Sequence, residues 1–210
     1  MPYSASTFEP LISAIVNSIK PRNFFDIGAG AGKYGKMLKD LSSSNMFNCH
    51  STAVEIDEAY INDFKLRDIY DDVIMSDAMN LLSNNLDIKG DLVVLGDFIE
   101  HLRKSDGLDL LNFLIYRFNF ILLIIPVDMP QGEWEGHAQE AHISLWYESD
   151  FKGFKNTSVI KQSFEGMEFL FVLINGVQVK WHDIFKLYLK DGCVYAGYPY
   201  KHLAKTQVFN

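Results

Sequence analysis

The chain has 210 residues and a formal charge of −8, a length that suits one α/β domain with a sizeable core and a charge that argues against gripping duplex nucleic acid by broad phosphate neutralisation. Its two cysteines, Cys49 and Cys193, stand far apart and in no metal-ligand spacing, so neither a disulfide framework nor a zinc site is expected. Residues Met1 to Ser6 lack a basic region leading into an apolar core, and the longest apolar run, Phe118 to Val127, is too short to cross a bilayer as a helix; a soluble cytoplasmic protein is expected.

In chain order, Thr7 to Ile19 carries apolar residues at helical spacing and is stopped by Pro21. Phe24 to Ile27 reads as a strand, Lys33 to Leu41 as a helix, Ser51 to Ile56 as a second strand and Glu58 to Arg67 as a second helix. Asp72 to Met75 and Asp91 to Leu95 read as strands three and four. Ser105 to Phe118 reads as a helix, and Phe120 to Ile125 as a strand apolar on both faces. A loop rich in Gly, Glu and His follows from Val127 to about His142, then a short helix near Glu148 to Phe154. Ser158 to Phe164 and Glu168 to Ile174, separated only by Glu165-Gly166-Met167, predict a hairpin. The alternation predicts a Rossmann-like, doubly wound sheet of about seven strands, mostly parallel with an antiparallel terminal strand and helices on both faces. Residues 1–175 are expected to form this domain. Residues 176–210 are expected to form an extension serving as edge cover or dimer contact, with a possible hairpin turning at Asp191-Gly192.

The first strand runs into Asp26-Ile27-Gly28-Ala29-Gly30-Ala31-Gly32-Lys33-Tyr34-Gly35. Glycines there allow a tight turn and close approach of backbone to a ligand, and the helix that follows offers unpaired N–H groups and a positive dipole end. Gly30, Gly32 and Gly35 also satisfy the G-x-G-x-x-G dinucleotide pattern, which alone is weak. Asp26 turns the reading: a carboxylate at that place would repel a pyrophosphate but would accept hydrogen bonds from an ammonium. S-adenosylmethionine carries an ammonium and NAD does not. Residues expected around such a cofactor are Asp26, Gly28, Ala29, Gly30, Gly32 and Tyr34 from the first strand and turn. Glu55 with Ile56 would serve the ribose hydroxyls, Asp77 with Ala78 the adenine, and Asp97 follows strand four. Asp57 reads as a helix N-cap.

In this order, and over roughly Phe8 to Ile174, these segments resemble the motifs of class I S-adenosylmethionine-dependent methyltransferases. The likeness is closest to a bacterial and phage group of undefined substrate. It rests on Gly32-Lys33-Tyr34-Gly35, on Gly96-Asp97-Phe98-Ile99-Glu100-His101-Leu102, and on Gln131-Gly132 followed by Glu140-Ala141-His142-Ile143-Ser144-Leu145-Trp146 and Asp150-Phe151. The resemblance implies cofactor binding by the Asp26 to Gly32 turn, Glu55 and Asp77, with S-adenosylhomocysteine (SAH) as product. It names no acceptor.

Methyl transfer from a sulfonium is an in-line displacement, so the protein must chiefly hold the acceptor atom in line with the departing sulfur. His101, which follows strand four, and His137 and His142, on the loop after strand five, are the candidate bases for an acceptor proton, with Glu140 placed to orient one of the loop pair. Glu100-His101 and Glu140-x-His142 match no metal template, and no metal is expected. The expected activity is methylation of oxygen or nitrogen on a small-molecule or glycan-like acceptor, with no membrane or nucleic-acid partner and a possible homodimer. A cofactor-binding module without catalysis and an NAD(P)-dependent oxidoreductase are the alternatives.

Overall fold

Five apolar segments lie side by side and parallel at the centre of a computed structural model that describes residues 9–84, 88–164, 166–190, 193–199 and 206–207. They are β1 (Asn23–Ile27), β2 (His50–Glu55), β3 (Asp72–Met75), β4 (Gly90–Gly96) and β5 (Phe118–Val127). With β6 (Thr157–Phe164) and β7 (Met167–Asn175) they make one seven-stranded sheet of order β3-β2-β1-β4-β5-β7-β6. β7 runs antiparallel to both β5 and β6, pairing Leu123 with Val172 on one side and Val172 with Val159 on the other. The expected hairpin is therefore present, but its second strand lies inside the sheet and its first forms the edge. Pro126 sits in β5 beyond the last β4 partner, Gly96, which pairs with Ile124, so its missing N–H leaves no gap in that ladder.

Side-chain alternation along the buried strands divides the core into two layers. Phe24, Leu92, Val94, Phe120 and Leu122 face α1 (Glu9–Ile19), α2 (Lys33–Asn45), α3 (Glu58–Asp63) and α4 (Leu66–Ile69). Phe25, Val93, Leu95, Ile121 and Leu123 face α5 (Asn80–Ser83) and α6 (Lys104–Leu114), together with Trp146 and Phe151. Helices thus cover both faces, as expected for a doubly wound sheet. No helix among the described residues is long and apolar enough to cross a membrane.

The helix expected over Glu58 to Arg67 is broken into α3 and α4 by Lys65, whose φ of 52° is left-handed. The break lets Leu66, Ile69 and Tyr70 turn inward beneath the glycine turn, burial that outweighs one strained residue. The helix expected to reach Phe118 ends at Leu114, because Phe118 already pairs with Gly90 as the first residue of β5. The short helix expected near Glu148 to Phe154 is a 3-10 turn over Glu148–Phe151.

After β7 the chain forms a second, antiparallel sheet of β8 (Lys186–Lys190), β9 (Cys193–Gly197) and β10 (Thr206–Gln207), in the order β10-β9-β8. Phe185, Leu187 and Ala196 are buried with Phe120, Phe169 and Phe171 in the layer that holds α1. The Asn175 amide fixes this docking: its Oδ1 accepts from the Phe185 N–H at 2.7 Å and its Nδ2 donates to the Phe185 carbonyl at 2.8 Å. Thr7, Phe8, Glu165, Asp191, Gly192 and Tyr200 fall outside the described residues.

Candidate active site

The chain runs outward from β1 through β2 to β3 and then crosses back to β4, so a crevice opens at the carboxyl ends of β1 and β4. A cavity of about 220 Å³ occupies it. Of the residues expected at the cofactor, Gly28, Ala29, Gly30, Tyr34, Glu55, Ile56, Asp77, Ala78 and Asp97 line this cavity, and so do His101 and Glu140. Asp26, Gly32 and His142 do not line it. Lys33, Tyr60, Ser76, Phe98, Leu102 and Gln139 do, and were not anticipated.

Gly28, Gly30 and Gly32 all take positive φ, which gives the turn its sharp path from β1 into α2. Gly28 must also lack a side chain because a Cβ there would stand 2.2 Å from Cδ2 of Phe98. Gly32 faces away from the cavity toward Leu66 and Ile69. Glu55, buried at the end of β2, clasps the turn: Oε2 accepts from the Gly30 N–H at 2.8 Å and Oε1 from the Asp57 N–H at 3.0 Å. Burial raises its pKa, while the N–H groups of Asp57, Gly30 and Ile56 pull the other way. Asp77 spends Oδ1 on the Met79 N–H at 2.8 Å, capping its own turn, and Ala78 lies buried beside it.

Asp26 is fully buried behind the turn, its Oδ2 accepting a short hydrogen bond from the Tyr70 hydroxyl. Burial raises its pKa to about 7, with Tyr70 lowering it and Glu55 raising it. The same Tyr70 oxygen accepts from the Gly35 N–H at 3.0 Å, so the first turn of α2 is capped from within the protein. A Cβ on Gly35 would meet the Tyr70 ring at 2.4 Å. The third glycine of the dinucleotide pattern therefore makes room for a tyrosine, not for a pyrophosphate.

Beyond β4, Asp97 holds a left-handed φ of 49°, and the 3-10 turn Ile99–His101 brings His101 to the cavity. The Glu100 backbone carbonyl accepts from the Ile143 and Ser144 N–H groups, at 2.9 and 3.1 Å, stitching the loop after β5 onto that turn. The loop is tied at a second place. His137 Nδ1 and Gln139 Nε2 both donate to Asp57 Oδ2 at 2.7 Å, and the Tyr60 ring packs on His137. Asp57 also caps α3, with Oδ1 accepting from the Ala59 N–H at 2.8 Å, as its position in the sequence led one to expect; its hold on the loop was not foreseen. Farther along, Trp146 is buried over Phe151 and donates from Nε1 to Ser144 Oγ at 2.9 Å. It anchors the loop, whereas Trp134 and Tyr147 remain exposed.

His142 packs edge-on against His101, ring centroids 4.8 Å apart. Burial lowers the pKa of both imidazoles, leaving them neutral and able to act as bases or ligands at pH 7. Glu100 is buried beneath them, and burial with neighbouring Asp97 holds its carboxyl well above the usual carboxylate range.

No family model matches the chain and no curated protein matches it. Solved structures do. The N-terminal domain of EvdMO1 with SAH bound superposes with a TM-score of 0.60 at 12% identity, covering 82% of this chain and 82% of that one. The plantazolicin methyltransferase BpumL in complex with SAH gives 0.55 at 15% identity over 81% of this chain and 82% of that one. The methyltransferase domain of bacterial CtHen1-C gives 0.55 at 15% identity over 81% and 98%. At these identities the likeness is one of fold, and together with the strand order, the reversed β7 and the cavity at the β1–β4 crevice it identifies this chain as carrying the class I S-adenosylmethionine-dependent methyltransferase fold.

Proposed function

We propose that the protein transfers a methyl group from S-adenosylmethionine to oxygen or nitrogen of a small-molecule or glycan-like acceptor. The observation that carries this reading is Glu55, a buried carboxylate set at the end of β2 against the Gly30 N–H and at the wall of the cavity. A carboxylate there suits the two hydroxyls of a ribose. Ile56, Ala78 and Leu102 supply apolar surface for the adenine, and the Gly28 to Gly30 backbone supplies room for the methionyl arm. On the far wall the acceptor atom's lone pair attacks the methyl carbon while the carbon–sulfur bond breaks, leaving a neutral thioether. His101 and Glu140 face that place and are the groups able to take the acceptor's proton; His142 stands behind His101. The NAD(P) alternative is disfavoured by Tyr70, which already fills the Gly35 N–H beside a buried acid.

The test is thermal unfolding with S-adenosylmethionine, SAH and NADPH added separately. A ligand at a hundred times its dissociation constant adds about 2.7 kcal/mol, which for a chain of this size raises Tm by about 5 to 10 °C. A shift with both sulfur ligands and none with NADPH is expected; a shift with NADPH alone would overturn the reading. SAH release over a panel of hydroxyl and amine acceptors then separates an enzyme from a binding module without turnover.

A further inference from the structure

Among the described residues, Glu100, His101 and His142 bring one carboxylate oxygen and two ring nitrogens within 4.8 Å of one another. Glu100 is 2% exposed, and no side chain bonds either of its carboxylate oxygens, the backbone N–H groups of Phe98 and Glu100 standing nearby without completing a well-aligned hydrogen bond. Leaving an acid buried and unsatisfied is expensive, and the nearest cationic candidate, His142 Nε2, is 4.0 Å away, too far for a hydrogen bond. The histidines are held in the way metal ligands are held. His101 Nδ1 donates to the Ala141 carbonyl at 3.2 Å and His142 Nδ1 to the Met129 carbonyl at 2.7 Å. Each Nε2 therefore carries a lone pair, with ring orientation set by the backbone. The segments bearing these side chains are also fastened together, since the Glu100 carbonyl receives the Ile143 and Ser144 N–H groups and the His142 N–H donates to Gln131.

From this cluster we infer that Glu100, His101 and His142 form a binding site for a divalent first-row transition-metal ion at the acceptor side of the cavity. Two imidazoles and one carboxylate suit such an ion better than magnesium or calcium, which prefer an all-oxygen shell. Ligand atoms on one ion, with bonds of about 2.0–2.2 Å, stand roughly 3 to 3.5 Å apart, so a contraction of up to roughly 1.5–2 Å closes the site. Three protein ligands leave positions open. His101 borders the cavity, so those positions face the place where an acceptor enters and suit an acceptor with neighbouring oxygen atoms. With both histidines committed as ligands, Glu140 remains as the cavity group able to take the acceptor's proton. Metal binding stands independently of the methyltransferase reading, whereas the role in orienting an acceptor rests on it.

The probe is Co²⁺ alone, followed by its visible absorption in the full chain without cofactor, beside a separate calorimetric titration with SAH. The wild type is expected to bind a single Co²⁺ with a ligand-field spectrum, and excess Mg²⁺ is expected not to displace it. Glu100→Gln and His142→Ala should each weaken Co²⁺ binding by more than the roughly 10–100-fold that loss of an outer partner costs, while SAH affinity changes little. Because Glu100→Gln removes a buried acid whose carboxyl is held well above the usual range, it should also raise the Tm of the metal-free protein by about 2–4 °C. Absence of a Co²⁺ spectrum in a wild type that binds SAH would overturn the metal site and leave the cofactor reading standing. So would unchanged Co²⁺ affinity in Glu100→Gln together with a fall in Tm, which would mark Glu100 as structural. A Co²⁺ spectrum without SAH binding would instead keep the metal site and sink the cofactor reading.

Discussion

Glu55→Ala is expected to lower SAH affinity by roughly a hundredfold, equivalent to about 3 kcal/mol, because on the proposed function two ribose hydroxyls would lose one charged acceptor. The same carboxylate holds the Gly30 and Asp57 N–H groups at 2.8 and 3.0 Å, so the substitution also loosens the turn. Glu55→Gln separates the two effects. It keeps one oxygen for a backbone donor but removes the charge, and an intermediate loss of about tenfold is expected. Isothermal titration with SAH measures both variants, and far-UV circular dichroism checks that each remains folded. A loss of threefold or less in Glu55→Ala would mean that no ribose is held at the end of β2.

The second large effect concerns stability and its dependence on pH. The Asp26 carboxyl, raised by burial to about 7 from an ordinary value of 3.8, binds its proton more tightly in the folded chain than in the unfolded one. Below about pH 4 both forms are protonated and the group contributes nothing. As pH rises from about 4 to about 7 the unfolded chain ionises first, and stability falls. Above pH 7 the penalty is complete, about 4 kcal/mol on the order-of-magnitude conversion of the shift. Asp26→Asn should therefore flatten the stability profile between pH 4 and 7 and make the protein more stable than wild type at pH 8. Tyr70→Phe should act in the opposite direction. It removes the hydroxyl that donates to Asp26 and accepts from the Gly35 N–H, costing about 2–4 kcal/mol at pH 8 and roughly half that at pH 5, where Asp26 keeps its own proton. Urea unfolding at the two pH values measures the difference. An equal loss at both would show that the hydroxyl acts through the Gly35 N–H and not through the Asp26 charge, and no loss at either would show that Tyr70 supports the fold by packing alone.

The strands were legible because they are short apolar runs bounded by turn residues, and β5 needs no context to read as a strand buried on both faces. That the glycine turn and the acids at the ends of β2 and β3 would border a cavity was legible for a related reason: the crevice of an open α/β sheet lies just after the carboxyl ends of its strands. What could not be read was whatever depends on distant segments meeting. Nothing local breaks a helix at Lys65; the break follows from Leu66 and Ile69 docking under Gly32. Tyr70 is 44 residues from Asp26, and the packing that makes it the partner of that acid leaves no periodic trace. The same holds for Phe98 against Gly28. Glu100, His101 and His142 carry no metal spacing because a helix, a strand and half a loop lie between the first two and the third, a distance closed by the stitching of Ile143 and Ser144 to Glu100 and of Ala141 to His101.

The docking of Phe185 through the Asn175 amide sets a limit on how the molecule can be trimmed. A chain ended at residue 175 would retain the whole seven-stranded sheet, yet it would uncover Phe120, Phe169 and Phe171, which are buried with Phe185 and Leu187. Aromatic surface of that kind, next to the edge strand β6, promotes self-association and aggregation. Soluble expression and resistance to proteolysis are therefore expected to fall on truncation at residue 175, although none of the described residues of the removed segment lines the cavity.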